Sequence, residues 1–107
     1  MHINIATTRF NNDTWEQNYE WRIKNEWRGC IYGTPMRIKD TISIGSLIVI
    51  LEMHNDKNKI IGLGLVRNCL SLERKFKIYK WGNYNRYIYK SQYHIVRDDL
   101  SREEEIV

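Results

Sequence analysis

The chain has 107 residues and a formal net charge of +4 at pH 7, and 42% of its residues are hydrophobic. This length fits one domain with one core, which we place at residues 1–107, and it is too short for two domains. No apolar run is long enough to span a membrane and the N-terminus has no signal-peptide pattern. We therefore expect a soluble intracellular protein, in the cytoplasm or nucleus, without a membrane partner.

The N-terminal quarter predicts a strand followed by a helix. Residues 2–8 are β-prone and alternate between apolar and polar, which indicates a first strand. Turn and N-cap residues occupy 11–13, and the acidic first turn that follows favours a helix. We expect this helix to reach Arg28 and to end at Gly29.

Aromatic residues recur along the predicted helix. Trp15, Tyr19, Ile23 and Trp27 follow helical spacing, whereas Trp21 points elsewhere. In one interpretation the stripe docks on the sheet and Trp21 covers a barrel edge. In the other, one or two indoles line a cleft where a flat base stacks, a contact worth about 1–3 kcal/mol.

A central β-hairpin organises the middle of the chain. Leu47 to Leu51 is rich in β-branched residues, 54–59 is a cluster of turn formers, and Ile60 to Val66 resumes strand composition. Gly62 and Gly64 interrupt the second strand. A glycine inside a strand marks a bulge, a sharp bend or a close backbone approach.

Shorter elements flank this hairpin. A β-prone piece at 30–32 and a turn at 33–35 precede it, and Gly45 stands where a tight turn needs positive φ. A short strand or a single helical turn fits 36–38.

Three more strands are expected after the hairpin. Alternation over 76–80 predicts a strand with Phe76 and Ile78 inward and Lys77 and Tyr79 outward. The next two strands are expected at residues 86–90 and 92–97, and a short polar helix at 98–105.

Together these elements predict an α+β, mostly β fold with about six strands. One main N-terminal helix and a short C-terminal helix would cover a small barrel.

Basic residues are concentrated in one part of the chain. Residues 67–97 contain eight lysines and arginines against Glu73 alone, whereas residues 1–66 are nearly neutral and the last ten residues are acidic. A concentrated basic face is typical of a polyanion partner.

Two motifs resemble the PUA-like superfamily, especially its EVE, ASCH and YTH branches. They are Ile44 to Ile50 and Ile60 to Val66, which follow an opening strand and a helix, and 86–96 is similar to the closing strands of these domains. Ser46 departs from the family pattern, which usually has aspartate there. The resemblance implies a pseudobarrel that binds RNA or DNA, often with a modified or flipped base in an aromatic-sided pocket.

The primary hypothesis is therefore a non-catalytic nucleic-acid-binding module without cofactor or metal, with RNA favoured over DNA. The residues predicted to contact phosphates are Arg67, Lys75, Lys77, Lys80, Arg86, Lys90 and Arg97. The candidates for a base-stacking pocket are Trp15, Trp21, Trp27, Tyr32 and Trp81. The alternative for the lysines is a solvated strand face that protects an edge from aggregation.

Two other function classes stay open. The chain could be a protein-interaction or structural module that uses its exposed aromatics, in an oligomeric state that the sequence leaves undefined. A small ASCH-like hydrolase would use Glu52 with Lys39 or Lys59 as an acid/base pair.

The sequence gives only weak indications that the two thiols and three histidines have a catalytic role. A triad of Cys30, His54 and Asp56 is conceivable, but spacing alone does not bring these groups together. We expect Cys30 and Cys69 to be ordinary covered thiols, and His54 to be exposed in a polar turn.

Overall fold

A computed structural model describes residues 3–39, 41–55, 58–71 and 76–96. Its elements in chain order are β1 (Asn4–Phe10), α1 (Asn12–Lys24), β2 (Cys30–Thr34), β3 (Leu47–His54), β4 (Lys59–Arg67), a 3-10 helix (Gly82–Asn85), β5 (Tyr87–Ser91) and β6 (Tyr93–Val96). The fold is therefore α+β and mostly β, as predicted. The expected helix at 98–105 lies outside the described residues.

The strands form two sheets. The larger has the order β1-β3-β4-β6, with β1 and β3 parallel and the other pairs antiparallel. The smaller pairs β2 with β5 in antiparallel register. Within the described part of the chain these sheets do not close into a barrel, so the expected pseudobarrel is not confirmed.

The predicted central hairpin is confirmed as β3 and β4. Its register shifts between Glu52 and Met53, so that Ile61 on β4 has no counterpart and forms a bulge. Both strand glycines are sites of close approach: a Cβ on Gly62 would lie 2.5 Å from Glu52 Oε1, and one on Gly64 would overlap the hydroxyl of Tyr32. Side chains from other strands thus use the space that the glycines leave.

The turn glycine before the hairpin also matches its prediction. Gly45 has φ 86°, and a Cβ built on it would meet nothing within 4 Å. Its role is therefore conformational.

The boundaries of α1 have clear local causes. Asn11 is the N-cap: its side chain accepts a hydrogen bond from Thr14 N at 2.8 Å, and Thr14 Oγ1 accepts one from Asn11 N at 3.0 Å. At the other end, Glu26 has φ 53° and Trp27 N donates to Arg22 O at 2.8 Å, the pattern of a Schellman motif. The helix therefore ends four residues earlier than the predicted Arg28.

The most deeply buried face of α1 is polar, so the prediction that the whole aromatic stripe docks on the sheet is wrong. Tyr19 and Ile23 are 51% and 62% exposed, whereas Asn18 and Arg22 are buried. Three indoles on the helix and the segment after it pack against the core and are half-buried: Trp15, Trp21 and Trp27.

The predicted strand over 76–80 is not formed. The side chain of Asn85 replaces a strand partner: its Oδ1 accepts hydrogen bonds from Ile78 N and Tyr79 N, and its Nδ2 donates to Tyr79 O at 2.7 Å. Phe76 and Ile78 are buried as predicted. Tyr79 is also buried, because a loop without strand geometry does not alternate its side chains.

Further corrections concern single residues. Cys30 is fully buried, but Cys69 is exposed, so the prediction of two covered thiols fails for Cys69. His54 is buried at the end of β3 and is not exposed in the turn. Across the described ranges, no helix is long and apolar enough to cross a bilayer.

Candidate functional site

An open cleft of about 1260 Å³ runs along α1 and the segment that follows it. We call it the helix cleft; it is lined by Asn12, Trp15, Glu16, Tyr19, Arg22, Ile23, Glu26, Trp27, Arg28 and Val96. Two of the predicted stacking residues, Trp15 and Trp27, thus meet in one concave site.

Arg22 is the most unusual residue of the helix cleft. It is only 7% exposed, and its Nε donates to Asn18 Oδ1 at 2.9 Å. Its guanidinium carbon lies 5.4 Å from the ring centroid of Trp15 and 5.6 Å from that of Tyr19. Its Nη2 is buried and has no hydrogen-bond partner among the described residues. The permanently charged guanidinium is therefore fixed beside two aromatic rings, and it has a hydrogen-bond donor that no described residue uses.

Asn18 fixes the position of that guanidinium. Its Nδ2 donates to Ile31 O at 2.7 Å and to the hydroxyl of Tyr79 at 3.0 Å. The amide oxygen is therefore directed to Arg22 by contacts with β2 and the loop before the 3-10 helix. Burial raises the pKa of Tyr79 to about 12, so its hydroxyl stays protonated and can take part in this network at neutral pH.

The cleft indoles are held by the fold. Trp27 Nε1 donates to Cys30 O at 3.0 Å, and Lys90 Nζ lies 4.9 Å from the centroid of its ring. Trp15 packs edge-on against Phe10, with ring centroids 5.3 Å apart. Rings positioned in this way lose little conformational entropy when a flat ligand binds.

The other tryptophan candidates lie outside the helix cleft. Trp21 packs edge-on against Phe76 and lines a separate hollow of about 380 Å³, together with Lys77. Trp81 is 45% exposed, and Lys80 Nζ lies 4.8 Å from its ring centroid. Trp21 and Trp81 therefore belong to two aromatic surfaces that are separate from the helix cleft.

Tyr32 does not offer a stacking surface. It is 5% exposed and its hydroxyl donates a hydrogen bond to Glu52 Oε2. A base could reach its ring only if the core opened, so we correct its assignment from pocket wall to core residue.

The predicted phosphate-binding residues are spread over several surfaces. Lys77, Lys80, Arg67 and Arg86 are exposed. Lys80 forms an exposed ion pair with Asp13 at 3.2 Å, and its backbone N donates to Gln17 on α1. The position of Lys77 beside Trp21 brings a second lysine to the helix.

The remaining predicted cations differ in setting. Lys90 is half-buried, Arg67 Nη1 donates to Gly45 O at 2.9 Å, and Arg86 stacks on Tyr87 at 5.4 Å. Lys75 and Arg97 lie outside the described residues.

A second polar group, which we call the buried polar cluster, consists of Cys30, Tyr32, Glu52 and His94. His94 Nε2 lies 2.7 Å from Glu52 Oε2, and both side chains are 2% exposed. Burial is the main cause that raises the pKa of Tyr32 above its ordinary value and that of Cys30 to about 11. The phenol and the thiol are therefore protonated at neutral pH, and Cys30 is not an activated nucleophile.

The buried polar cluster differs from both catalytic arrangements considered from the sequence. Glu52 is bonded to Tyr32 and His94, and not to Lys39 or Lys59. His54 Nε2 lies 2.8 Å from Asn12 Oδ1, and Asp56 lies outside the described residues. In the described ranges, no group of three histidine, cysteine or acidic side chains could hold a metal ion.

Neither family models, curated proteins nor solved structures match this chain. The resemblance to PUA-like domains therefore stays a prediction.

Proposed function

We propose that this chain is a nucleic-acid-binding module of the PUA-like kind that holds an unstacked base in the helix cleft. The observation that carries the proposal is the buried guanidinium of Arg22, whose Nη2 has no partner among the described residues and which is flanked by the rings of Trp15 and Tyr19. Leaving a buried charged donor unpaired costs more than the roughly 1–3 kcal/mol of a neutral one. A ligand with acceptor atoms would remove that cost once a shift of the guanidinium exposes Nη2, which is buried in the unbound chain.

A nucleobase has the chemistry that such a site accepts. Its flat faces stack on indole and phenol rings, and its edge carries carbonyl and ring-nitrogen acceptors for an arginine. Arg28 also lines the cleft, and Lys90 lies over the ring of Trp27. Together with Arg22, these cations outnumber the two glutamates of the cleft lining, which favours an anionic chain that passes the base.

RNA is the favoured nucleic acid. Sequence-specific RNA recognition targets single-stranded segments, whose bases can be splayed out and stacked on aromatic side chains. The exposed lysines on the opposite flank of α1, Lys77 and Lys80, would contact phosphates further along a strand that crosses the helix.

The test is a titration of labelled single-stranded and duplex RNA and DNA at two salt concentrations, read by anisotropy and by tryptophan fluorescence. We expect the tightest binding to single-stranded RNA, with quenching of indole emission. Tyr19→Ala should weaken it about 5- to 150-fold, because one stacked base is worth ~1–3 kcal/mol. Tyr84→Ala is the matched control, since Tyr84 is 45% exposed and lies outside the cleft.

Equal affinities of the two tyrosine variants would refute the proposed site. If Trp81→Ala weakened binding and Tyr19→Ala did not, the base would instead stack on the Trp81 surface.

Phosphate binding is tested separately by charge reversal. Lys77→Glu should weaken binding to all sequences and make the logarithmic salt slope shallower by about 0.7 for each phosphate that is no longer neutralised. Lys59→Glu is the control, because Lys59 is also exposed but lies at the start of β4. An unchanged slope for Lys77→Glu would remove this lysine from the interface.

A further inference from the structure

The four-stranded sheet has an apolar face that points away from the core. The pairing register places Ile5, Val49, Leu65 and Tyr93 side by side in one row across all four strands. The next row consists of Thr7, Leu51, Leu63 and Ile95. We call these two rows the outer sheet face; seven of its eight side chains are apolar or aromatic.

Among the described residues, the protein core does not cover this face. Ile5 is 64% exposed, Tyr93 61% and Ile95 45%, and the middle residues of both rows are half-buried. None of the eight belongs to the core cluster or packs against it. The alternate residues of the same strands, such as Ile48 and Ile50, are buried in that core.

Such a face is uncommon on a sheet that meets water. An antiparallel sheet with one solvated side usually alternates apolar residues inward with polar residues outward. Here Thr7 is the single polar side chain of the two rows, and among the described residues of these strands the nearest charges on the same side are Arg9 and Arg67 at opposite ends. Nucleic acid would gain little from a surface with an uncharged centre.

The dimensions of the face suit a sheet of the same kind. Four strands about 4.8 Å apart and two rows about 7 Å apart along the strands give a footprint of roughly 260 Å², which side-chain relief enlarges. Apolar patches of a few hundred Å² are among the largest on a typical monomer and are often functional. Two such faces packed about 10 Å apart would bury less area than a standard specific interface, which fits a weak, transient dimer.

We propose that two copies of this chain associate face to face through the outer sheet face. A second copy presents the same flat apolar surface, and the arrangement leaves both helix clefts free. The helix clefts stay free because α1 lies on the opposite side of the sheet: its Trp15 packs on Phe10, a buried residue that points to that side of β1.

The test is sedimentation equilibrium over a range from about 1 to about 500 micromolar protein. The mass should rise from the 13.0 kDa of one chain to twice that value. Leu51→Glu and Leu63→Glu should each weaken association at least about a hundredfold, because every substitution acts twice across the interface. Ile44→Glu and Met36→Glu are matched controls, since these side chains are 89% and 76% exposed and lie outside the sheets.

Circular dichroism and thermal melts identify any variant that fails to fold. If a variant fails to fold, Tyr93→Ser or Ile95→Ser is tested in its place, because both residues lie at the more exposed edge of the face. We expect these substitutions to weaken association as well. A monomer at all concentrations would overturn the proposal, and so would association that the face and control variants weaken equally. RNA titrations of Leu63→Glu should match those of the unmodified chain, so failure of the dimer and failure of the helix cleft are distinguishable.

Discussion

Gly64→Ala should be among the most destabilising single-methyl additions in this protein. The new Cβ would overlap the Tyr32 hydroxyl and would lie 2.9 Å from both Tyr32 Cζ and Cys30 Sγ. The side chains of Tyr32 and Cys30 are both buried and leave little room for relaxation, and overpacking of this kind costs about 1–3 kcal/mol. If Tyr32 moves, its hydrogen bond to buried Glu52 is also broken, at about 1.5–3 kcal/mol more.

The gain from a less flexible unfolded chain offsets only about 0.4–1 kcal/mol of this cost. We therefore expect Gly64→Ala to lower the free energy of unfolding by about 2–5 kcal/mol, measured by urea denaturation followed by tryptophan fluorescence. Gly82→Ala is the control, because a Cβ there meets nothing within 4 Å. Destabilisation below about 0.5 kcal/mol, or equal effects of the two substitutions, would refute the close packing of Gly64 on Tyr32.

Three further predictions concern the same buried polar cluster. Glu52→Gln should lower the free energy of unfolding by about 1–3 kcal/mol in urea titrations, because charge-assisted hydrogen bonds to Tyr32 and His94 become neutral; an unchanged midpoint would contradict this. A thiol reagent should label exposed Cys69 rapidly and buried Cys30 only at the rate of unfolding, so equally fast labelling of both would show that Cys30 is accessible. Stability should fall as pH rises from about 9 towards 11: the unfolded Cys30 thiol ionises near 9.0, whereas the folded one keeps its proton up to a pKa of about 11. Cys30→Ala should make that decline shallower in urea titrations at pH 8 to 10.5, and an identical decline would contradict the assignment.

The central hairpin was predictable because its signals are local. β-branched runs on both sides of a polar turn define β3 and β4. The two strand glycines indicated a bulge, a sharp bend or a close backbone approach. The sequence could not identify what approaches them. Tyr32 comes from the other sheet, and only the pairing register places Glu52 opposite Gly62.

The docked face of α1 was missed because it is held by hydrogen bonds. Hydrophobic periodicity selects Tyr19 and Ile23, but the buried residues are Asn18 and Arg22. The partners of Asn18 lie 13 and 61 residues further along the chain, so no helical pattern reveals them. An arginine on a helix otherwise looks like an ordinary solvated charge.

The candidate site was predicted in part. The aromatic spacing named Trp15 and Trp27, which meet in the helix cleft. The aromatic spacing gave no sign of Arg22. The sequence also gave no sign that His94 on β6 pairs with Glu52, 42 residues earlier. Contacts between residues so far apart depend on tertiary structure, which single-sequence patterns do not specify.

The most direct test of the proposed function is Arg22→Met, with RNA affinity and folding stability measured on the same preparation. Methionine keeps an apolar stem but removes the buried charge and its unpartnered donor. Removing an unpaired buried charge is neutral or stabilising in itself, and the loss of the charge-assisted hydrogen bond to buried Asn18 costs about 1.5–3 kcal/mol.

If the guanidinium is there for a ligand, affinity for single-stranded RNA falls at least about tenfold, while the free energy of unfolding falls by no more than the roughly 3 kcal/mol that the hydrogen bond to Asn18 accounts for. If it is there for the fold, stability falls by several kcal/mol and the folded fraction binds RNA as well as the unmodified chain does. The second result would contradict the proposed function.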